Sequence, residues 1–240
     1  MAKGKFIVVD GVTGSGKSTI LRAIKAWSAS CQHKTFDLEE WSQTHHDPPT
    51  FDDVKDADVL YTFEPTKTWI GSAIRKELSR TDKPYSAMEL AQAFSLDRLL
   101  MYKRLILPAL EAGKTIVQDR SVTSSIFIQL SQEPRTLTIE ELLALPGNAL
   151  ALEHAPDILV LTHVKPETAA QRLQARANES KGVFEDPELL RRMAGVISSE
   201  WFSKLFADRG TAVHHFDADI PKDEMEQRAQ ALINHIFTTC

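Results

Sequence analysis

At 240 residues and 42% hydrophobic content the chain is long enough for one large domain with its own core, and no apolar run reaches the roughly 20 residues that span a bilayer. A net charge of -5 and a pI near 5.9 argue against a nucleic-acid polymer as partner, because binding its backbone takes a basic face. The start lacks the basic, apolar and small-residue regions of a signal peptide, so a cytoplasmic location is expected, with Cys31 and Cys240 as free thiols without metal-ligand spacing.

In chain order, KFIVVD reads as a short buried strand and ILRAIKAW as an amphipathic helix. Between them the stretch VVDGVTGSGKST fits the pattern G-x-x-x-x-G-K-[ST]. Such a turn wraps its backbone N–H groups around nucleotide phosphates, since glycines permit close approach and the helix N-terminus adds positive partial charge. Gly11, Gly14, Ser15, Gly16, Lys17, Ser18 and Thr19 are therefore expected to bind ATP or GTP, with Lys17 reaching the β and γ phosphates and the Ser18 hydroxyl on Mg2+.

From Phe36 to Asp58 the chain is long, acidic and proline-containing and reads as an insertion: a solvated loop or a short strand and helix at the sheet edge, with a substrate lid as the other reading. Further strands are expected at Asp58 to Phe63, Thr115 to Asp119, Asp157 to Val164 and Thr211 to Asp217, each separated from the next by helical patterning. The adjacent pairs His45–His46 and His214–His215 read as surface or strand histidines, because neighbours on a regular element point different ways. Alternation of this kind implies an α/β chain, a single domain over residues 1–240: a P-loop NTPase fold with a doubly wound, five-stranded parallel sheet flanked by helices.

In such a sheet ligands bind beyond the carboxyl ends of the strands. Those ends carry Asp10, then Glu64 with Pro65, then Asp119 with Arg120. Carboxylates there would hold Mg2+ waters or position an acceptor, and an arginine would grip phosphate oxygens. Asp10, Asp119 and Ser18 are thus the expected metal-side residues, and Asp10, Lys17, Asp119 and Arg120 the expected catalytic ones. On the residues alone, Phe94 reads as core packing, Asp97 with Arg98 is compatible with a solvated pair, Ser124 and Ser125 with helix caps, and Arg172 with Arg176 equally with an exposed helical face or with catalysis.

The segments VVDGVTGSGKST, FEPTKTWIGSAIRKEL, AQAFSLDRLLMYKRLILPALEAGKTIVQDRSVTSSIFIQ and APDILVLTHVKPETAAQRLQAR, in this order, resemble the thymidylate kinase family through nearly the whole chain apart from the acidic segment. The resemblance implies transfer of a phosphoryl group from ATP to dTMP with Mg2+, a helical lid near residues 174–190, and a homodimer built on the helices between Ile70 and Gly113. It also implies that Phe94 stacks on thymine, Arg98 hydrogen-bonds the base edge, Glu64, Ser125 and Gln129 line the substrate pocket, Asp119 and Arg120 face the acceptor phosphate, and Arg172 and Arg176 serve from the lid side. The chain departs from the pattern at Phe63–Lys67, where family members read Arg-Glu-Pro-Gly-Gly, and at Gly182–Glu185, where they read Asp-Arg-Phe-Glu. Two other readings stay open: a deoxynucleoside kinase with Glu64 as base toward a neutral 5' hydroxyl, and a nucleotide-binding regulatory protein whose chemistry is lost.

Overall fold

The computed structural model describes residues 3–80, 84–133, 135–175 and 186–237. Six parallel strands form one sheet: β1 (Lys5–Gly11), β2 (Thr35–Asp37), β3 (Val59–Phe63), β4 (Thr115–Asp119), β5 (Ile158–His163) and β6 (Ala212–Asp217), in the order β2-β3-β4-β1-β5-β6. The expected doubly wound α/β arrangement is present, but the strand count is corrected from five to six. The added strand is three residues long and lies at the sheet edge, paired with β3 from Thr35↔Val59 to Asp37↔Tyr61. Three residues are too few to show a period of two, so only the pairing reveals it.

Strand side chains alternate between two cores. Phe6 and Val8 of β1 face one, with Leu60, Ile116 and Leu159 of neighbouring strands; Ile7 and Val9 face the other, with Val59, Val117 and Val160. The second core is closed by α1 (Lys17–Ser30) and α13 (Lys222–Ile236) through Ile20, Ile24, Ala229 and Ile233. The first is closed by α5 (Ala87–Met101), α7 (Val122–Leu130) and α11 (Pro187–Ile197), among others. Each such fully buried branched side chain contributes about 1.5 to 3 kcal/mol.

The acidic segment is ordered. Following β2, α2 (Leu38–Thr44) and the short α3 (Phe51–Val54) set Leu38 and Val54 into the core, and a capping box between Thr50 and Asp53 starts the second of them. Helix α4 (Trp69–Ala73) widens into a π-helical turn at Ile74–Leu78, and α5 does the same at Tyr102–Ile106 before α6 (Leu107–Glu111). The second widening precedes Pro108, which has no N–H to give and whose ring would strike the Arg104 carbonyl in a regular helix.

Remaining helices are α8 (Ile139–Ala144), α9 (Pro146–Glu153), α10 (Pro166–Gln174) and α12 (Glu200–Ala207). The proposed lid falls mostly on residues 176–185, with Arg176, outside the described residues. Cys31, next after α1, is disulfide-bonded, which corrects the free-thiol reading; Cys240 lies outside the described residues. Among the described residues no helix is long and apolar enough to cross a membrane.

Candidate active site

The loop between β1 and α1 needs its glycines. A Cβ on Gly11 would lie 2.2 Å from the Thr162 hydroxyl of β5, and Gly16, at φ 90°, turns the chain into α1 from the left-handed region. The first turn of α1 carries no acidic residue, so its N–H groups present an uncancelled positive end. Lys17 opens that helix and is buried, with its ammonium donating to the carbonyls of Gly11 (3.1 Å) and Val12 (3.0 Å). Ser15 shares a hydrogen bond with Thr162 Oγ1 (2.6 Å), and Thr19 accepts from Arg22 (3.2 Å), so these two hydroxyls are taken up within the protein. Ser18 is exposed at the mouth.

Among the described residues, three of the cavities that open around the loop bear on the site. One, on the side of α5 and α7, is lined by Thr13, Glu64, Phe94, Arg98, Arg120, Ser125 and Gln129, together with Arg75, Ser121, Ile128 and Met193. A cleft beside Ser18 holds Asp119, Arg22, Lys25 and Lys67, and shares Glu64, Arg75 and Arg120 with the first cavity. A third, on the outer side, is lined by Gly14, Gly16, Ser18, Thr19, Arg172 and Lys222.

Arg120 stands where the first two meet. It follows the last residue of β4 at φ 68°, a strained conformation for a residue with a Cβ, and its guanidinium donates to Ser124 Oγ (3.1 Å), Gly11 O (3.3 Å) and Thr13 Oγ1 (3.4 Å). Asp10, 3.5 Å away, holds it in place. Asp10 is wholly buried, and its carboxylate accepts from Gly11 N (2.7 Å), Ser124 Oγ (2.8 and 2.9 Å) and Thr123 Oγ1. That a strand ends in Asp was legible; that the hydroxyls of α7 would capture it was not.

Asp119 differs. Its Oδ1 is buried without a hydrogen-bond partner and belongs to the cleft that contains Ser18. An orphaned carboxylate oxygen in a cleft that a hydroxyl also lines suits a hard cation. Among the described residues no group of three or more His, Cys, Asp or Glu could hold a metal, so the cation would take its other ligands from phosphates and water, as Mg2+ does.

Asp97 and Arg98 are buried, not solvated. Arg98 Nε and Nη2 donate to Glu64 (2.9 and 2.5 Å), Nη1 to Asn148, and Nη2 also to Ser125 (3.0 Å), while Asp97 accepts from Thr66 N and Oγ1 (both 2.7 Å). Gln118 donates to the other Glu64 oxygen (3.1 Å). Burial pushes the Glu64 carboxyl up to about 7 against the pull of Arg98. A raised acid is protonated in the folded state between the two values, so stability falls as pH rises from about 4.5 to about 7. Relative to Glu64→Gln, thermal melts of wild type should therefore lose stability across that window, on the order of 3 kcal/mol; parallel curves would refute the assignment.

The structure brings Glu64, Phe94, Arg98, Arg120, Ser125 and Gln129 to one cavity and Ser18 with Asp119 to the adjoining cleft. It does not bring Arg172 there: that guanidinium donates to Gly14 O (3.4 Å) and Ala218 O (2.9 Å) on the loop's outer side. Gln129 Oε1 is buried without a partner at the first cavity. It leaves an acceptor for the N–H edge of a base.

Sequence reasoning missed Arg75. Its Nε donates to the carbonyls of Pro65 and Thr66 (both 3.0 Å), its guanidinium lies over the Phe63 ring at 5.3 Å, and it lines both joined cavities. A cation thus reaches the site from α4's extension where position 63 supplies none. The signal was present in IGSAIRKEL, as a lone arginine two turns after the Glu-Pro segment, but helical patterning alone reads it as solvent-facing.

A phosphate-binding loop at the head of a parallel sheet, with an acceptor cavity joined to it through two arginines, defines a P-loop phosphotransferase. The thymidylate kinase family model matches residues 50–228. The chain is 31% identical over 195 residues to a probable thymidylate kinase of Methanococcoides burtonii, covering 79% of this chain and 78% of that protein. With the thymidylate kinase of Caldicellulosiruptor saccharolyticus the identity is 33% over 182 residues (75% and 74%), and with that of Trichodesmium erythraeum 28% over 235 residues (96% and 95%). The protein belongs to the thymidylate kinase family.

Proposed function

We propose that the protein transfers the γ-phosphoryl group of ATP to dTMP, forming dTDP and ADP, as one kinase domain. The observation that carries this reading is the junction of a base-sized cavity with the phosphate cleft at Arg75 and Arg120, next to Lys17 and Ser18. Thymine would lie against Phe94 and Ile128, with Gln129 and Arg98 at its polar edge. Arg120 and Arg75 would hold the 5' phosphate.

An oxygen of that phosphate attacks the γ phosphorus as its bond to the β–γ bridging oxygen breaks, and the electron pair leaves on ADP. The acceptor is already anionic, so no strong base is needed. Lys17 and the loop N–H groups stabilise charge on the transferred group, and Mg2+, held by Ser18 and Asp119, would neutralise the phosphates it binds. Arg172 would serve the nucleoside side of ATP. A homodimer through α5, where Leu96 is 44% exposed, belongs to the same reading. A cytoplasmic location belongs to the same reading.

The deoxynucleoside kinase reading is not favoured. Glu64, its required base, has both oxygens engaged by Arg98 and Gln118, and the relatives bear thymidylate kinase names. Purified protein assayed with ATP, Mg2+ and a panel of nucleosides and monophosphates should turn over dTMP fastest. Preference for thymidine over dTMP overturns the proposal, and ATP binding without transfer to any acceptor favours the regulatory reading.

A further inference from the structure

Within the acidic segment, between α2 and α3, residues 45–50 form a strap that is pinned to the start of α4. Asp47 is held through its carbonyl by the Trp41 indole N–H (2.9 Å), and Pro48 and Pro49 after it are buried with restricted backbones. Its carboxylate accepts the indole N–H of Trp69 (2.7 Å). Arg104 lies over the Trp69 ring at 5.0 Å and donates to the Pro48 carbonyl (3.1 Å), so strap and helix grip one side chain from two directions. Lys67 adds an ion pair to Glu39 of α2.

Trp69 is an unusual place for such a grip. It is 44% exposed, yet it holds φ 38°, a conformation that bulky residues rarely adopt and keep only when their surroundings impose it. Two residues on, Gly71 abuts Thr66 so closely that a Cβ would lie 2.4 Å from the Thr66 carbonyl. One turn further stands Arg75, whose Nε takes the carbonyls of Pro65 and Thr66. The stretch from Glu64 to Arg75 is therefore one tight unit, tied inward to Asp97 and outward to Asp47.

We propose that the Asp47–Trp69 hydrogen bond is a latch that positions Arg75, and with it the phosphate end of the acceptor cavity; the inference rests on the proposed function. Asp47 and Trp69 touch neither substrate and are positioning residues. They should tune acceptor affinity without touching donor affinity or the chemical step.

The test compares wild type with Asp47→Ala, Asp47→Asn, Trp69→Phe and the double variant Asp47→Ala/Trp69→Phe, by steady-state kinetics for dTMP and ATP and by thermal melting. Asp47→Ala and Trp69→Phe should each raise the KM for dTMP about fivefold to tenfold, with kcat and the KM for ATP within about twofold of wild type. Asp47→Asn keeps the acceptor oxygen and should stay within about twofold, and the double variant should be no worse than either single one, since all remove the same bond. A merely structural role predicts a lower melting temperature with unchanged KM. That result overturns the latch, as do equal rises in KM for both substrates or additive effects in the double variant. Ratios are taken with the acceptor that wild type turns over fastest, so rejection of dTMP by wild type overturns the functional reading while the latch is judged on its own acceptor; a wild type that takes no acceptor overturns both.

Discussion

Lys17→Met should lower kcat by about a thousandfold or more, the scale expected when a preorganised charge aimed at the transferred group is lost. Methionine approximates the unbranched stem of lysine and lacks the ammonium. In the free protein that ammonium sits on the carbonyls of Gly11 and Val12, so the substitution also takes a donor from the loop. The accompanying loss of stability should be modest, about 1 to 2 kcal/mol, the scale of losing hydrogen bonds to buried carbonyls. Turnover of dTMP measured beside a circular dichroism melt separates the two effects. A folded variant with near wild-type turnover would remove Lys17 from the transfer step and with it the assignment of the loop.

The second large effect is expected at Arg120. Arg120→Ala should cost about a hundredfold or more in kcat/KM for dTMP, roughly 3 kcal/mol, the scale of truncating one partner of a buried charge pair. Because the acceptor phosphate is anionic before and during transfer, the loss should appear in KM and extend into kcat. Alanine is the informative choice: like arginine it carries a Cβ at φ 68°, so the backbone strain is kept, whereas glycine would relieve it. The free variant leaves Asp10 with its hydrogen bonds from Gly11, Thr123 and Ser124, and the fold should survive. Thymidine, which lacks the phosphate, should be a poor acceptor for both proteins. If instead wild type prefers thymidine, Arg120 is not an acceptor-phosphate ligand and Glu64 becomes the residue to test.

Much of the frame could be read directly because its signals are local. Strand β1, the glycine spacing from Gly11 to Gly16 and the helix after Lys17 are set within about twenty residues, where steric freedom and hydrophobic period act on neighbours. The alternation of strands and helices then implied a parallel sheet with its ligands at the carboxyl ends. Family resemblance extended this to the residues that the first cavity gathers, from Glu64 to Gln129.

What stayed hidden depends on partners far apart in the chain. Asp10 and Asp119 look alike as strand-end carboxylates, yet one is saturated by hydroxyls 113 and 114 residues away and the other keeps an oxygen bare. Arg98 looks like half of a surface pair on its helix, but Glu64, 34 residues earlier, draws it inside. Arg75 enters the site only because Phe63 offers a ring and Pro65 and Thr66 offer carbonyls. The acidic segment looked like an insertion until β2 paired with β3 and Asp47 met Trp69. By itself, then, the amino-acid order determined all the strands but β2, the loop and the class of chemistry, since those follow from local sterics and periodicity. Which charges face substrate and which are consumed within the protein was decided only by the tertiary structure, because burial and the nearest partner, not the residue type, set whether a carboxylate or guanidinium has anything left to give.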